Sequence, residues 1–220
     1  MVCEIKMKKL FCLFTLVFFM LMVAGCSKTY YSAMEKFGKH KRDIMVDRVE
    51  NARDSQAVAQ EQFKSALEQF DALIKLKETD LKRAYTKLNR EYEESEDAAE
   101  DVSDRIDKVE SVAEALFEEW EEELGQYQSK KLRRTSRRQL RATRANYKKM
   151  LISMHKAEAS MRPVLRLFKD NVLFLKHNLN AQAVGSLKSE FKNLKGEISV
   201  LLRKMSAAIK SSNRFIAEMK

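Results

Sequence analysis

The side chain with the most legible chemistry is Cys26, which ends the tetrapeptide Val23-Ala24-Gly25-Cys26 behind a fourteen-residue hydrophobic run from Leu10 to Val23. Transfer of a diacylglyceryl group requires a thiol presented at the end of a short apolar segment. The peptidase that follows requires small residues before that thiol, here Ala24 and Gly25, with the aliphatic Val23 ahead of them. Lys6, Lys8 and Lys9 supply the positive region that opens a secretory signal. This ordered set reads as a bacterial lipoprotein signal, with cleavage before Cys26 and lipid on its sulfur. A membrane-spanning anchor is the poorer reading, because a span needs about 20 apolar residues, whereas polar sequence begins at Ser27. An ordinary cleaved signal would leave Cys26 as an unpaired terminal thiol. Met7-Lys8-Lys9-Leu10 makes as good a beginning as Met1, so the start of translation stays open between the two.

Other reactive side chains are scarce. Cys3 and Cys12 fall within the segment to be removed, which leaves no thiol for a disulfide, zinc site or nucleophile beyond Cys26. The histidines are His40, His155 and His177, and none has a carboxylate three residues before it, so the Glu-x-x-His pairs of di-iron bundles are absent. His155 and Glu158 occur once, in the reverse order. Neither a phosphate-cradling glycine loop nor a Gly-x-Ser-x-Gly turn occurs. The sequence therefore predicts no enzyme, no metal centre and no cofactor.

Removing residues 1–25 from the 220 leaves 195, with a net charge of +8 because three lysines and one glutamate leave with the signal. One proline and four remaining glycines offer few helix breakers, and Ala, Leu, Glu, Lys and Arg dominate. Period-two alternation is missing throughout, which excludes strands. Apolar residues instead recur at spacings of three and four. One seam runs Met45, Val49, Ala52, Gln56, Ala59, Phe63, Leu67, Phe70, Ile74; a second runs from Leu81 through Leu88, Ala99, Ile106 and Ala113 to Trp120. A third holds Leu140, Thr143, Tyr147, Leu151, Met154, Glu158, Met161, Leu165, Phe168, Val172, Leu175 and Leu179, and a fourth runs from Val184 to Ala208.

Gly125 reads as a helix stop and Asn180 as an N-cap. A weaker break lies at Lys77–Asp80, where one continuous helix is the alternative. Four segments of similar length joined by short loops favour an all-α, elongated antiparallel bundle or coiled coil of about four long helices. Pro163 is expected to kink the third of them. The chain thus divides into a signal at residues 1–25, a lipidated N-terminus and tether at residues 26–40, and a helical domain at residues 41–220.

Charge is strongly segregated. Glu91 to Glu123 hold sixteen acidic residues against Arg105 and Lys108, while Lys130 to Lys149 hold ten basic residues and no acid. A phosphate-binding stripe for nucleic acid would look like this, but export makes nucleic acid an unsuitable partner. Complementary packing of the acidic helix against the basic one is the leading expectation. The residual candidate role for Arg133, Arg134, Arg137, Arg138 and Arg141 is contact with an anionic surface. Between Pro163 and Leu175 apolar residues cover more than one helix face. Phe168, Val172 and Leu175 are expected in the core, and Leu167, Leu173 and Phe174 are the candidate apolar interface for a partner or a second copy of the chain.

Several stretches carry a family likeness: Met34-Glu35-Lys36, His40-Lys41-Arg42-Asp43-Ile44, Val46-Asp47-Arg48-Val49, Phe63-Lys64-Ser65-Ala66-Leu67-Glu68-Gln69-Phe70 and Leu173-Phe174-Leu175-Lys176-His177-Asn178-Leu179-Asn180. Together they resemble the Gram-negative lipoprotein family known as domain of unknown function 2959, over essentially the whole chain after the signal. The resemblance implies an envelope location and a helical architecture, and brings no catalytic residues. The expected function is a lipid-anchored, periplasm-facing scaffold or interaction protein, its partners being membrane lipid through N-terminal acylation and an unknown envelope protein. Ser27, in place of the aspartate of an inner-membrane retention signal, points to the outer membrane. The competing expectations are a membrane-active protein that binds or remodels anionic lipid, and a helical chaperone or carrier.

Overall fold

A computed structural model describes Tyr31 and residues 40–75 and 81–220. The signal run, Cys26 and residues 76–80 lie outside the described residues. Four α-helices make up the domain: α1 (Lys41–Ile74), α2 (Leu81–Glu123), α3 (Lys130–His177) and α4 (Ala181–Met219). No strand occurs among the described residues.

Helix ends follow local chemistry. Gly125 donates to the Glu122 carbonyl at 3.1 Å and Gln126 to Glu123 at 2.9 Å, so α2 ends in a tightened turn of i,i−3 bonds. A Cβ on residue 125 would sit 3.3 Å from the Glu122 oxygen, which is why glycine suits the stop. The Ser129 hydroxyl then accepts from Leu132 N at 3.3 Å to open α3, and Asn180 Oδ1 accepts from Ala183 N at 2.9 Å to open α4. Each such cap is worth about 1 kcal/mol. Arg42 serves the opposite polarity. Its Nε (2.9 Å) and a terminal nitrogen (2.6 Å) both donate to the Met219 carbonyl, placing a cation on the negative end of α4. Helix α3 runs on unbroken through Pro163.

Pairings along the helices fix the topology. Lys41 meets Glu119 and Gln62 meets Glu91, so α1 and α2 are antiparallel and the chain reverses between Lys75 and Leu81. One continuous helix from Lys41 to Glu123 is therefore excluded, while Lys77–Asp80 itself lies outside the described residues. Ser103 bonds Glu158 across α2 and α3, Asn146 bonds Glu218 across α3 and α4, and Gln60 bonds Ser206 across α4 and α1. Each helix packs chiefly on its two neighbours around a ring, an up-down-up-down bundle. At the usual rise, the 48 residues of α3 span about 72 Å.

The core is the line where four stripes meet. Met45, Val49, Ala52, Ala59, Phe63 and Phe70 of α1 are buried, as are Val102, Ile106 and Val109 of α2 and Leu194, Ile198 and Leu201 of α4. Phe168, Val172 and Leu175 are buried as the spacing predicts. Phe168 presents edges to Phe70 (6.4 Å) and Tyr92 (5.7 Å), and Phe70 stacks on Phe191 at 5.4 Å. The α3 seam departs from expectation. Met150, Ala157 and Val164 are buried, while Leu151, Glu158 and Leu165, one residue along, are half-buried. A 3.6-residue helix drifts against a seven-residue repeat, so spacing alone does not choose between adjacent apolar positions on so wide a stripe. Leu179 is exposed because α3 has already ended at His177.

Tyr31 gives a second departure. It belongs to the segment read from sequence as tether, yet it is only 4% exposed, packs in the core, and donates to Ser111 Oγ at 3.2 Å. Its aromatic ring joins the core ahead of α1.

Candidate functional site

The end of the bundle where α2 turns into α3 collects the features that sequence singled out. Lys41 opens α1 beside Glu119, and Met219 closes α4 beside Arg42, so both lie at this end with the 124–129 turn. Asn146 meets Glu218, and Tyr147 lies 6.3 Å from Phe215. Since α4 stops at Met219, residues 130–141 of α3 extend beyond it.

The five arginines named from sequence divide here. Arg133 is half-buried and donates to the Tyr127 carbonyl at 3.2 Å, holding the turn, while its Nε is enclosed with no acceptor among the described residues. Arg134, Arg137, Arg138 and Arg141 are exposed at spacings of three and four, which places them on one face of α3, turned away from core-facing Ser136 and Leu140. None of these four forms an ion pair among the described residues; Arg138 has a long contact (3.5 Å) to Thr135 Oγ1. The adjoining Leu132 is 57% exposed.

This corrects the expectation of complementary charge blocks. Helices α2 and α3 are neighbours, yet few of their charges meet. Arg144 pairs with Glu121, donates to the Phe117 carbonyl at 3.2 Å and lies 5.2 Å over the Phe117 ring. Most of the acidic block faces water, as at Glu93, Glu94, Glu96, Asp97, Glu100 and Asp101. The antiparallel contact line of each helix is taken by apolar residues, which leaves the charges on outer faces where they point apart. Exposed pairs contribute only about 0–1 kcal/mol each, so charge does little to hold this hairpin.

Further along the same interface, His155 lies between two carboxylates, with Nδ1 2.8 Å from Glu158 and Nε2 3.2 Å from Glu110. Only the imidazolium donates from both nitrogens. Partial burial lowers the His155 pKa, but the bonds to Glu158 and Glu110 outweigh it and the net direction is upward. For Glu158 burial acts in the opposite direction and raises the pKa, but the bonds from His155 and Ser103 more than reverse it and the net direction is downward. Ser103 Oγ donates to Glu158 at 2.7 Å and not to the imidazole. The hydroxyl therefore faces a carboxylate already committed to His155, which is no arrangement for a serine nucleophile. Sequence showed only the His155–Glu158 pair; Glu110 and Ser103 come from another helix and carried no local signal.

At the opposite end, Leu173 (46%) and Phe174 (40%) are exposed, whereas Leu167 is half-buried and packs against the core. Leu167, Asn171 and Phe174 of α3 and Leu187 and Glu190 of α4 line a groove of about 470 Å³. Of the three candidate interface residues, Leu167 and Phe174 thus share this groove, and Leu173 is not among its lining residues. No cluster of three metal-ligating side chains occurs among the described residues, and no described helix is long and apolar enough to cross a membrane.

Residues 30–219 match the family described as "Protein of unknown function (DUF2959)". The chain belongs to the DUF2959 family. The match spans the whole bundle from just before Tyr31 to Met219, so the architecture described is that of the family domain as this chain carries it. Comparison with curated proteins and with solved structures finds no match.

Proposed function

We propose that this DUF2959 protein is a lipid-anchored component of a bacterial envelope, held through Cys26 and facing the periplasm, with an elongated helical bundle that serves as a non-catalytic scaffold or interaction surface. The observation that carries the reading is the order of residues from Lys6 to Cys26: a basic start, a hydrophobic run too short to span, small residues and then a thiol. The fold supports it. Tyr31 is already locked into the core, so only residues 27–30 separate the proposed anchor from a rigid body. Five residue steps from Cys26 to Tyr31 reach at most about 17 Å, which keeps the bundle close to the bilayer. Two or more acyl chains make such attachment durable, where one would be marginal. Ser27 favours the outer membrane over the inner one.

Intact-mass analysis of the purified envelope protein tests the anchor. The expected mass is that of a chain beginning at Cys26 plus acyl groups, and Cys26→Ala abolishes the adduct and moves the protein out of the membrane fraction. An unlipidated wild-type chain found in the soluble fraction overturns the reading. Crosslinking in the intact envelope tests the interaction role, which predicts a recurring partner captured by the wild-type protein and lost with Cys26→Ala.

A further inference from the structure

We propose that the arginine face of α3 is a docking surface for anionic phospholipid headgroups, and that it sets the bundle on the bilayer by its α2–α3 end. The proposal rests on the Cys26 anchor and adds an orientation to it. Three observations converge. Arg134, Arg137, Arg138 and Arg141 share one exposed face and form no ion pair among the described residues, although an acidic helix lies next to them. Guanidinium groups without a carboxylate partner among the described residues suit phosphate oxygens, which they bind in bidentate fashion. Leu132, 57% exposed among Lys130, Lys131 and Arg134, adds an apolar side chain at the level where headgroups meet acyl chains.

Reach supplies the third. Tyr31 is pinned beside Ser111 of α2. From there the arginine end at Glu123 is about 18 Å away along the helix, and the opposite end at Leu81 about 45 Å. A tether of at most about 17 Å from Cys26 comes close to the level of the first end and falls far short of the second. Glu122 and Glu123 are exposed on the neighbouring end of α2, so attraction is directional: the bilayer is met by the outer face of α3, where residues 130–141 extend past the end of α4. The alternative occupant of such a face is the exposed acidic side of α2 in a second copy of the chain, which the following test separates.

The lipidated protein, with a polarity-sensitive dye on an introduced Leu132→Cys or, as a control, on Leu173→Cys, is reconstituted into vesicles of phosphatidylcholine alone or of equal parts phosphatidylcholine and phosphatidylglycerol. Flotation with both vesicle types reports the anchor. The expected result is a blue shift at position 132 on anionic vesicles only, reversed by salt, with no change at position 173. Replacing Arg134, Arg137, Arg138 and Arg141 together by Glu abolishes the shift while helicity and flotation persist. In the same quadruple variant stripped of lipid by Cys26→Ser, vesicle affinity falls at least about tenfold below that of the Cys26→Ser protein alone, given the usual worth of a basic side chain at an anionic surface. Flotation without any charge-dependent shift overturns the docking surface and leaves the anchor intact. Failure to float overturns the anchor. A shift on neutral vesicles that tracks protein density and crosslinks α3 to α2 of another copy overturns lipid in favour of self-association.

Discussion

Gln56 lies on the central seam of α1 between Ala52 and Ala59, all three with no exposed surface. Neither its Oε1 nor its Nε2 has a hydrogen-bond partner among the described residues. An enclosed amide without partners costs about 1–3 kcal/mol relative to an apolar group of the same shape. Methionine has nearly the same length and flexibility and fills the same space without polar atoms. Gln56→Met should therefore stabilise the bundle by roughly 1–3 kcal/mol, raising Tm by about 2–4 °C per kcal/mol for a domain of this size. Gln56→Ala removes the amide but leaves a void, and the cavity cost offsets the gain, so it should fall below Gln56→Met. Urea unfolding followed by circular dichroism at 222 nm measures all three proteins, with thermal melts alongside. An unchanged m-value shows that the comparison concerns the native state. If Gln56→Met lowers the midpoint at unchanged m, the amide is satisfied in solution, and the central polar residue contributes to the fold instead of burdening it.

Phe168→Ala should cost about 3–5 kcal/mol, since the ring is fully buried with Phe70 and Tyr92 against it; a loss under about 1 kcal/mol in the same unfolding assay would contradict that packing. The His155 cluster predicts a pH window. Its raised pKa means stabilisation present below the unfolded-state value and lost as pH rises through the folded one. Glu158, whose pKa is lowered, contributes above its unfolded value and loses that contribution as pH falls through its folded value. The Tm deficit of His155→Gln should accordingly peak at mildly acidic pH and shrink toward alkaline pH; a deficit independent of pH would remove the imidazolium from the account. Asn180→Ala deletes the α4 cap and should cost about 1 kcal/mol, with faster amide exchange confined to the first turn of α4; uniform exchange across the bundle would show the cap to be incidental.

Much of the architecture is written locally. The stripes of three-and-four spacing marked Met45 to Phe70 and Val184 to Ala208 as core-facing because a helix returns side chains to one face every turn. Gly125, Ser129 and Asn180 end or begin helices through their own backbone and side-chain chemistry, which needs no distant partner. The proposed lipid-attachment signal is likewise linear, a matter of residue order from Lys6 to Cys26.

What required the tertiary structure was every question of who faces whom. The reversal between α1 and α2 was ambiguous in sequence because the apolar spacing continues through residues 74–81; the meetings of Lys41 with Glu119 and Gln62 with Glu91 decide it. The choice of Met150, Ala157 and Val164 over Leu151, Glu158 and Leu165 depends on two flanking helices pressing on α3 from different directions. Tyr31 looked like tether because nothing around it is periodic, and only its packing into the core, with its hydroxyl on Ser111, makes it part of the domain. The charge blocks show the difference most sharply. Composition fixed that one helix is acidic and the next basic, and charge alone favours pairing them. Apolar burial claims the contact line first, so most carboxylates of α2 and Arg134, Arg137, Arg138 and Arg141 of α3 are turned outward.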